Sequence, residues 1–139
     1  MVHLVVELLG NGTCRIEKQP AGLVIETDVP RDLGGPGNRF SSTELLAAAL
    51  GSCIGSSLAP VASRLQLDPS RIRLTVERHL GSKPRRLESI DVVIHAGQDV
   101  PDNARRRLLA AARACPVHRS LDAGVSVTIG FSDAIRSPD

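Results

Sequence analysis

The chain has 139 residues, of which 42% are hydrophobic and 1% aromatic, so we expect a single domain over residues 1–139 with an aliphatic core. Seventeen basic and fifteen acidic side chains give a net charge of +2 at pH 7, and no stretch of like charge is long enough to bind a polyanion. Because base stacking also needs aromatic side chains, we expect no nucleic-acid partner.

The first thirty residues predict an antiparallel meander of three strands. Alternating apolar side chains over Val2–Leu9 predict a strand, and Gly10-Asn11-Gly12 predicts a tight hairpin turn after it. Two further strands, Thr13–Lys18 and Leu23–Val29, are separated by residues typical of a turn. A glycine-rich loop over residues 30–38 then leads to a helix.

That helix is predicted to begin at Ser41 or Ser42, either of which can cap it. Apolar residues over Leu45–Ile54 cover most of its circumference, so we expect a central helix that is covered on nearly every side. Pro60 should kink the helix, which should end near Leu67.

The remaining chain predicts two half-buried strands, a second helix and a last strand. Apolar and polar residues alternate over Ile72–Glu77 and again over Ile90–His95. A helix follows Pro101, and its apolar stripe ends at Cys115; Val125–Phe131 then alternate as a strand. The order β-β-β-α-β-β-α-β predicts an α+β fold with antiparallel strands around a buried central helix, and we expect residues 132–139 to fray.

No segment predicts secretion or a membrane partner. The N-terminal residues lack a basic region and a cleavage site, and no apolar run approaches the roughly 18 residues that cross a bilayer. The cysteines Cys14, Cys53 and Cys115 form an odd and widely spaced set, unlike the disulfide frameworks of small secreted domains. We therefore expect a cytoplasmic protein whose thiols are either core residues or redox-active.

Cys53 and Cys115 are the candidate reactive thiols. Cys53 lies about ten residues inside the long helix among apolar neighbours, and would need a nearby cation such as Arg to act as a nucleophile. Cys115 lies at a helix boundary before Pro116, where a thiol can move. Such a pair suits a two-cysteine peroxidase, in which the first thiol becomes a sulfenic acid and the second condenses with it to a disulfide. Alternatively, both are core residues that lie too far apart for a disulfide.

We expect no metal and no cofactor. Cys115 and His118 have the spacing of two zinc ligands, but a third and a fourth ligand are not evident, and His118 is more simply a solvated side chain beside the thiol. Cys14, on a predicted strand beside a turn, is interpreted as a spectator thiol.

Three segments together resemble the OsmC/Ohr family over most of the chain. They are Val29-Pro30-Arg31-Asp32-Leu33-Gly34-Gly35, Thr43-Glu44-Leu45-Leu46-Ala47-Ala48-Ala49-Leu50-Gly51-Ser52-Cys53 and Cys115-Pro116-Val117-His118-Arg119-Ser120-Leu121. The order and separation of the two cysteine segments are specific, whereas the glycine loop alone would be a weak signal.

The resemblance implies an OsmC-like fold and a thiol-dependent peroxidase that reduces organic hydroperoxides or hydrogen peroxide in oxidative stress defence. It assigns Cys53 as the peroxidatic residue and Cys115 as the resolving residue, joined in a Cys53–Cys115 disulfide. It also implies an intertwined homodimer, in which the central helices pack together and the active sites lie at the interface. The expected reductant is a dithiol, and a lipoyl-type dithiol is one candidate.

The chain departs from the best characterised branch of that family. There an Arg from the N-terminal hairpin polarises the peroxide and is held by a Glu ten positions before the attacking Cys. Here that position is Thr43, and Glu44 lies one place later, about 100° around the helix. The candidate cations are Arg15 and then Arg39, and Glu44 is either a catalytic carboxylate or a first-turn residue that complements the helix dipole. With these departures the chain resembles the broader OsmC-like branch. They leave open the alternative that it is a non-catalytic dimer, which binds a small apolar ligand or senses redox state.

Overall fold

The computed structural model describes residues 1–121 and 123–133. Its strands and helices, in chain order, are β1 (His3–Gly10), β2 (Thr13–Gln19), β3 (Leu23–Thr27), α1 (Ser42–Arg64), β4 (Arg73–Ser82), β5 (Arg85–His95), α2 (Asp102–Arg113), α3 (Pro116–Leu121) and β6 (Ser126–Phe131). The α+β class and the predicted order are confirmed, with α3 as one short addition. Of the segment that was predicted to fray, residues 134–139 lie outside the described residues.

The contacts within the chain group it into two compact units, Met1–Leu46 and Ala47–Asp139. The first unit contains β1, β2 and β3, and the second contains β4, β5, β6, α2 and α3 together with most of α1. The prediction of a single domain over residues 1–139 stays a prediction.

In the first unit, β1, β2 and β3 form an antiparallel sheet in that order. At the tip of the first hairpin, Gly12 has a φ of 80°, and a Cβ at this position would lie 2.3 Å from Cγ2 of Val29, so only glycine fits. The strand register places apolar side chains on one side of this sheet. We call this side the apolar face. Its apolar residues are Leu4, Val6, Leu8, Ile16, Leu23 and Ile25, and Cys14, Lys18 and Thr27 lie on the same side.

In the second unit, β4 and β5 form an antiparallel hairpin, and β6 pairs with β5 in the parallel direction. The expectation that all strands are antiparallel is therefore wrong for β6. The reason is the connection: α2 and α3 carry the chain back across the sheet before β6 begins, as a parallel pairing requires. The hairpin strands also extend beyond the predicted ranges, to Ser82 and from Arg85.

The core of the second unit is aliphatic, as the composition predicts. A Cβ on Gly51 of α1 would lie 2.8 Å from Cγ2 of Val76, so glycine allows the close approach of α1 to β4. The largest fully buried side chains lie on α1, β5 and α2, and Cys115 belongs to the same set. They are Leu50, Ile54, Leu58, Ile90, Val92, Ile94, Leu108 and Cys115.

Helix α1 begins with a capping box. The backbone N–H of Ser41 donates to Oε2 of Glu44 at 2.8 Å, and the backbone N–H of Glu44 donates to Oγ of Ser41 at 3.2 Å. This confirms one of the two predicted caps. The helix ends at Arg64, before the predicted end, and Gln66 follows with a φ of 60°.

Within one chain, one side of helix α1 is exposed, and the predicted cover on nearly every side would need the partner chain that the resemblance implies. Ala49, Ser56 and Pro60 are exposed, and Cys53 between them is half-buried. Positions three and four apart lie on the same side of a helix, so these four residues form one stripe. We call it the α1 stripe.

By length and composition alone, α1 would be able to cross a membrane, so the expectation that no segment reaches that length was wrong. Core helices also pass this test, and Leu50, Ile54 and Leu58 of α1 are buried in the aliphatic core of the second unit.

Truncation of Ile54, which is 0% exposed, should lower the free energy of unfolding. We expect Ile54→Ala to reduce it by about 2–5 kcal/mol, because the core loses contacts and retains a cavity. The matched truncation Leu33→Ala, at a side chain that is 52% exposed, should change it by less than about 1 kcal/mol. Chemical denaturation followed by circular dichroism measures both values, and equal losses would contradict this description of the core.

Candidate functional site

The second unit brings Cys53 and Cys115 together. Their side chains are neighbours, since the Cys53 thiol is one of the groups that raise the pKa of Cys115, and both cysteines are free. Cys53 is half-buried on α1, and Cys115 lies between α2 and α3 with 1% of its surface exposed. The alternative in which both are core residues that cannot form a disulfide stays a prediction, and the Cys53–Cys115 disulfide stays one as well.

Burial is the main influence on Cys115. It raises the pKa of the Cys115 thiol above its ordinary value, and the neighbouring Cys53 thiol raises it further. Backbone N–H groups act in the opposite direction: that of His118 lies 3.3 Å from the Cys115 Sγ, and that of Val117 also lowers the pKa. The net effect favours the neutral thiol in the folded protein.

Cys53 lies on the α1 stripe, one turn before Ser57. Its backbone carbonyl accepts a hydrogen bond from Oγ of Ser57 at 2.9 Å. The side chain contacts the aliphatic core on one side, since it packs against the buried cluster, and is partly accessible on the other. A small molecule can therefore reach this sulfur more readily than that of Cys115.

Arg15, the first predicted cation, lies on β2 on the side of the sheet opposite the apolar face. Its NH1 is 2.8 Å from Oε2 of Glu17 and 3.4 Å from Oε2 of Glu7. The hydrogen bond that Arg15 donates to Glu17 and the charges of both carboxylates raise the pKa of Arg15. This arrangement is an ion-pair cluster on the strand surface.

Arg39, the second predicted cation, lies between two carboxylates. Its Nε is 2.6 Å from Oε2 of Glu26, and its NH1 is 3.4 Å from Oδ2 of Asp28. The charge of Glu26 is the largest of the influences that raise the pKa of Arg39. Two acceptors that engage different nitrogens restrict the orientation of the planar guanidinium.

Asp28 was not predicted as a functional residue, although its side chain is fully buried. Its Oδ1 accepts a hydrogen bond from Thr13 at 2.6 Å, and its Oδ2 accepts one from the backbone N–H of Asn38 at 3.0 Å. These bonds, with the Thr13 hydroxyl the strongest influence and Arg39 a further one, lower the pKa of Asp28, which keeps it ionised. Only the register of β2 with β3, which pairs Cys14 with Thr27, could have indicated that Thr13 and Asp28 meet.

Arg39 also lines a cavity of about 810 Å³ in the first unit. The residues that line it include the acidic Glu26 and Glu44 and the apolar Val24, Ile25 and Phe40. A cavity with one apolar wall and few polar groups is typical of small-molecule sites.

The other predicted residues have simpler surroundings. Glu44 forms the capping box with Ser41, and its role in a reaction stays a prediction. Cys14 is half-buried on β2, opposite Leu8 and Thr27. Among residues 1–121 and 123–133, no group of three or more His, Cys, Asp or Glu side chains could hold a metal ion.

Comparisons with known proteins agree on one family and one fold. A family model described as OsmC-like protein matches residues 35–130. A protein of Psychrobacter arcticus, described as an osmotic stress induced and detoxification response protein, is 25% identical with a TM-score of 0.87, over 94% of this chain and 96% of that one.

Two further solved structures resemble the chain in fold. The organic hydroperoxide resistance protein OsmC of Legionella pneumophila is 22% identical with a TM-score of 0.77, over 95% of this chain and 96% of that one. The organic hydroperoxide resistance protein OhrB of Bacillus subtilis is 17% identical with a TM-score of 0.67, over 95% and 98%. No curated protein sequence matches the chain significantly.

The raised pKa of Cys115 predicts a loss of stability at alkaline pH. The thiol ionises at a lower pH in the unfolded chain than in the folded one, so its stabilising effect is full below the unfolded pKa and is lost as pH rises through the folded pKa. We expect the free energy of unfolding to fall more steeply above the ordinary value of 9.0 in the reduced wild type than in Cys115→Ala. The slopes should differ by at most about 1.4 kcal/mol per pH unit.

Denaturant titrations under reducing conditions at a series of pH values measure these slopes. The control is Cys14→Ala, which should retain the wild-type slope. Identical slopes for wild type and Cys115→Ala would contradict the predicted burial effect.

Proposed function

The chain belongs to the OsmC-like protein family, and from this premise we propose that it is a thiol-dependent peroxidase that reduces organic hydroperoxides or hydrogen peroxide. Cys53 is the attacking thiol and Cys115 is the resolving thiol. The single observation that carries the proposal is that these two thiols are neighbours in the second unit, one accessible and one buried.

The proposed reaction has three balanced steps. The Cys53 thiol releases its proton, its thiolate attacks the terminal peroxide oxygen, and the O–O bond breaks. The products are the sulfenic acid of Cys53 and an alkoxide, which takes up the released proton to leave as an alcohol, or hydroxide, which leaves as water, when the substrate is hydrogen peroxide. The Cys115 sulfur then attacks the Cys53 sulfur, an S–S bond replaces the S–O bond, and the Cys115 proton leaves with the hydroxyl as water. An external dithiol, of which a lipoyl-type dithiol is one candidate, reduces the disulfide and is itself oxidised to a disulfide.

The different exposures of the two thiols support this division of roles. The attacking sulfur must meet a peroxide, and Cys53 is the more accessible of the two. The resolving sulfur must avoid peroxide until the sulfenic acid forms, and Cys115 is buried with a raised pKa, which favours the unreactive thiol form.

We further propose that Arg39, rather than Arg15, is the cation that binds the peroxide. The guanidinium of Arg39 borders a cavity with an apolar wall, which suits the hydrocarbon part of an organic hydroperoxide. Arg15 instead lies in a cluster with Glu7 and Glu17 on the strand surface.

The functional unit that we propose is a homodimer. Leu4, Val6 and Ile25 of the apolar face are 63%, 54% and 54% exposed. A soluble monomer rarely exposes a contiguous apolar surface of this kind, because its burial is favourable. The α1 stripe is a second exposed row of small residues, and it contains Cys53. A second copy of the chain that packs on the α1 stripe would place the attacking thiol at the interface.

A reducing cytoplasm fits the proposed chemistry, because it keeps the thiols available for each cycle. The second candidate function is a dimer that binds a small apolar ligand or senses redox state without turnover. It is favoured by Thr43, which occupies the position of the family's Glu.

Replacement of Cys53 should abolish peroxidase turnover. We expect Cys53→Ser to consume cumene hydroperoxide at the uncatalysed rate in the presence of excess dithiol, because the nucleophile is lost. Cys115→Ser should still form a sulfenic acid but no intramolecular disulfide, which mass spectrometry detects. Cys14→Ser is the matched control and should turn over like wild type.

The same assay distinguishes the two candidate functions. A Cys53→Ser protein that retains wild-type turnover would refute the peroxidase proposal. One stoichiometric oxidation of wild type, without further consumption of peroxide, would support the redox-sensing alternative.

Charge substitution on the apolar face should dissociate the dimer. We expect Val6→Glu to weaken association by about 3–5 kcal/mol, because it buries an unpaired carboxylate. Val5→Glu, one residue away on the other side of the same strand, is the matched control and should remain dimeric. Light scattering after size-exclusion chromatography gives both masses, and an unchanged mass for Val6→Glu would contradict this interface.

A further inference from the structure

The charges around Arg39 would influence which peroxides the proposed peroxidase accepts. Two carboxylates, those of Glu26 and Asp28, contact one guanidinium, so the group carries a net charge of −1. Asp28 contributes a full negative charge at neutral pH, since its hydrogen bonds lower its pKa. The positive charge of Arg39 is therefore already compensated before any ligand binds.

Glu26 is the member of this group that a ligand would meet. It lines the cavity together with Arg39, whereas the carboxylate of Asp28 is fully buried. Its side chain is 33% exposed, so the carboxylate acts on the cavity through an environment that screens it only in part. If a ligand placed its own carboxylate beside Arg39, Glu26 would repel it. That carboxylate would also gain little from the Arg39 guanidinium, whose charge Glu26 and Asp28 already compensate.

An uncharged hydroperoxide meets different conditions. A guanidinium has five N–H donors, and the carboxylates of Glu26 and Asp28 engage Nε and NH1. The second terminal nitrogen can donate to peroxide oxygens without any need for a net positive charge. The hydrocarbon part of the molecule can contact Val24 and Phe40, which line the same cavity.

From these observations we propose that the Arg39 cavity binds uncharged apolar hydroperoxides and discriminates against peroxides that carry a carboxylate. Glu26 is the specificity-determining residue, and Asp28 is a positioning residue that holds Arg39 from its buried side. The proposal rests on the proposed peroxidase function for its catalytic readout, but it also predicts a binding preference that needs no reaction.

The kinetic test uses two substrates that differ in the head group, a neutral methyl ester in one and a carboxylate in the other: the hydroperoxide of methyl linoleate and that of linoleic acid. We expect wild type to show a higher kcat/KM for the ester, and we expect the ester-to-acid ratio to fall with added salt, because salt screens the repulsion. Glu26→Gln keeps the shape of the side chain and removes its charge, and should lower that ratio about tenfold.

Glu7→Gln is the matched control, since Glu7 forms a 3.4 Å pair with Arg15 from β1, which β2 separates from β3, and Glu7 is not among the residues that line the cavity. It should keep the wild-type ratio. Equal rates for ester and acid in wild type, or the same change of ratio in both variants, would overturn the proposal.

A binding test separates failure of this inference from failure of the proposed function. Methyl octanoate and octanoate, which cannot react, are titrated into Cys53→Ser, and backbone amide shifts are followed by NMR at Gly37, Asn38 and Phe40. We expect the ester to bind more tightly and to shift these amides, and Glu26→Gln in this background to reduce the preference. If wild type lacks turnover but the ester is preferred, the peroxidase proposal fails and the cavity proposal stands. If turnover is normal but octanoate binds as tightly as the ester, the cavity proposal alone fails.

Discussion

Aliphatic packing of α1 and α2 against the sheet of the second unit is the interaction on which the chemistry of this chain depends. Leu50 and Ile54 are buried one helical turn or less from Cys53, and Leu108 and Cys115 belong to the same buried cluster. Side chains at such density have little freedom to shift. The two sulfurs are therefore neighbours as a result of core packing, and no hydrogen-bond network is needed to hold them.

The first unit is stabilised by different forces. Within residues 1–46, which are all described, the buried side chains are those of Thr27, Asp28 and Ser41, and no large apolar side chain is buried. Hydrogen bonds and an ion pair to the buried carboxylate of Asp28 take the place of an apolar core. They join the beginning of β2 to the loop before α1 and to Arg39. Because hydrogen bonds to a buried carboxylate are strong but local, they organise this end of the sheet and leave its apolar face without cover.

Much of the fold was predictable because its signals are local. Alternation gave strand bounds close to His3–Gly10, and Ser41 with Glu44 formed the cap that their spacing indicates. The parallel pairing of β6 was missed, because alternation shows which side of a strand is buried but not the direction of its neighbour. The exposed stripe of α1 was missed for a related reason: hydropathy does not reveal whether a covering surface comes from the same chain.

For the site, the cysteine segments indicated Cys53 and Cys115, whereas the surroundings of Arg15 and Arg39 depend on strand register and loop conformation.

The membership of Cys115 in the core has a consequence for redox energetics. Two thiols that packing holds side by side have a high effective concentration toward each other, and this favours their disulfide over mixed disulfides with external thiols. Effective concentration depends on how rigidly the surrounding side chains maintain the geometry. A substitution that loosens the packing around Leu108, which takes no part in the proposed reaction itself, would therefore raise the reduction potential of the proposed Cys53–Cys115 pair. The same core contacts would therefore determine both the stability of the second unit and the reduction potential of the proposed pair.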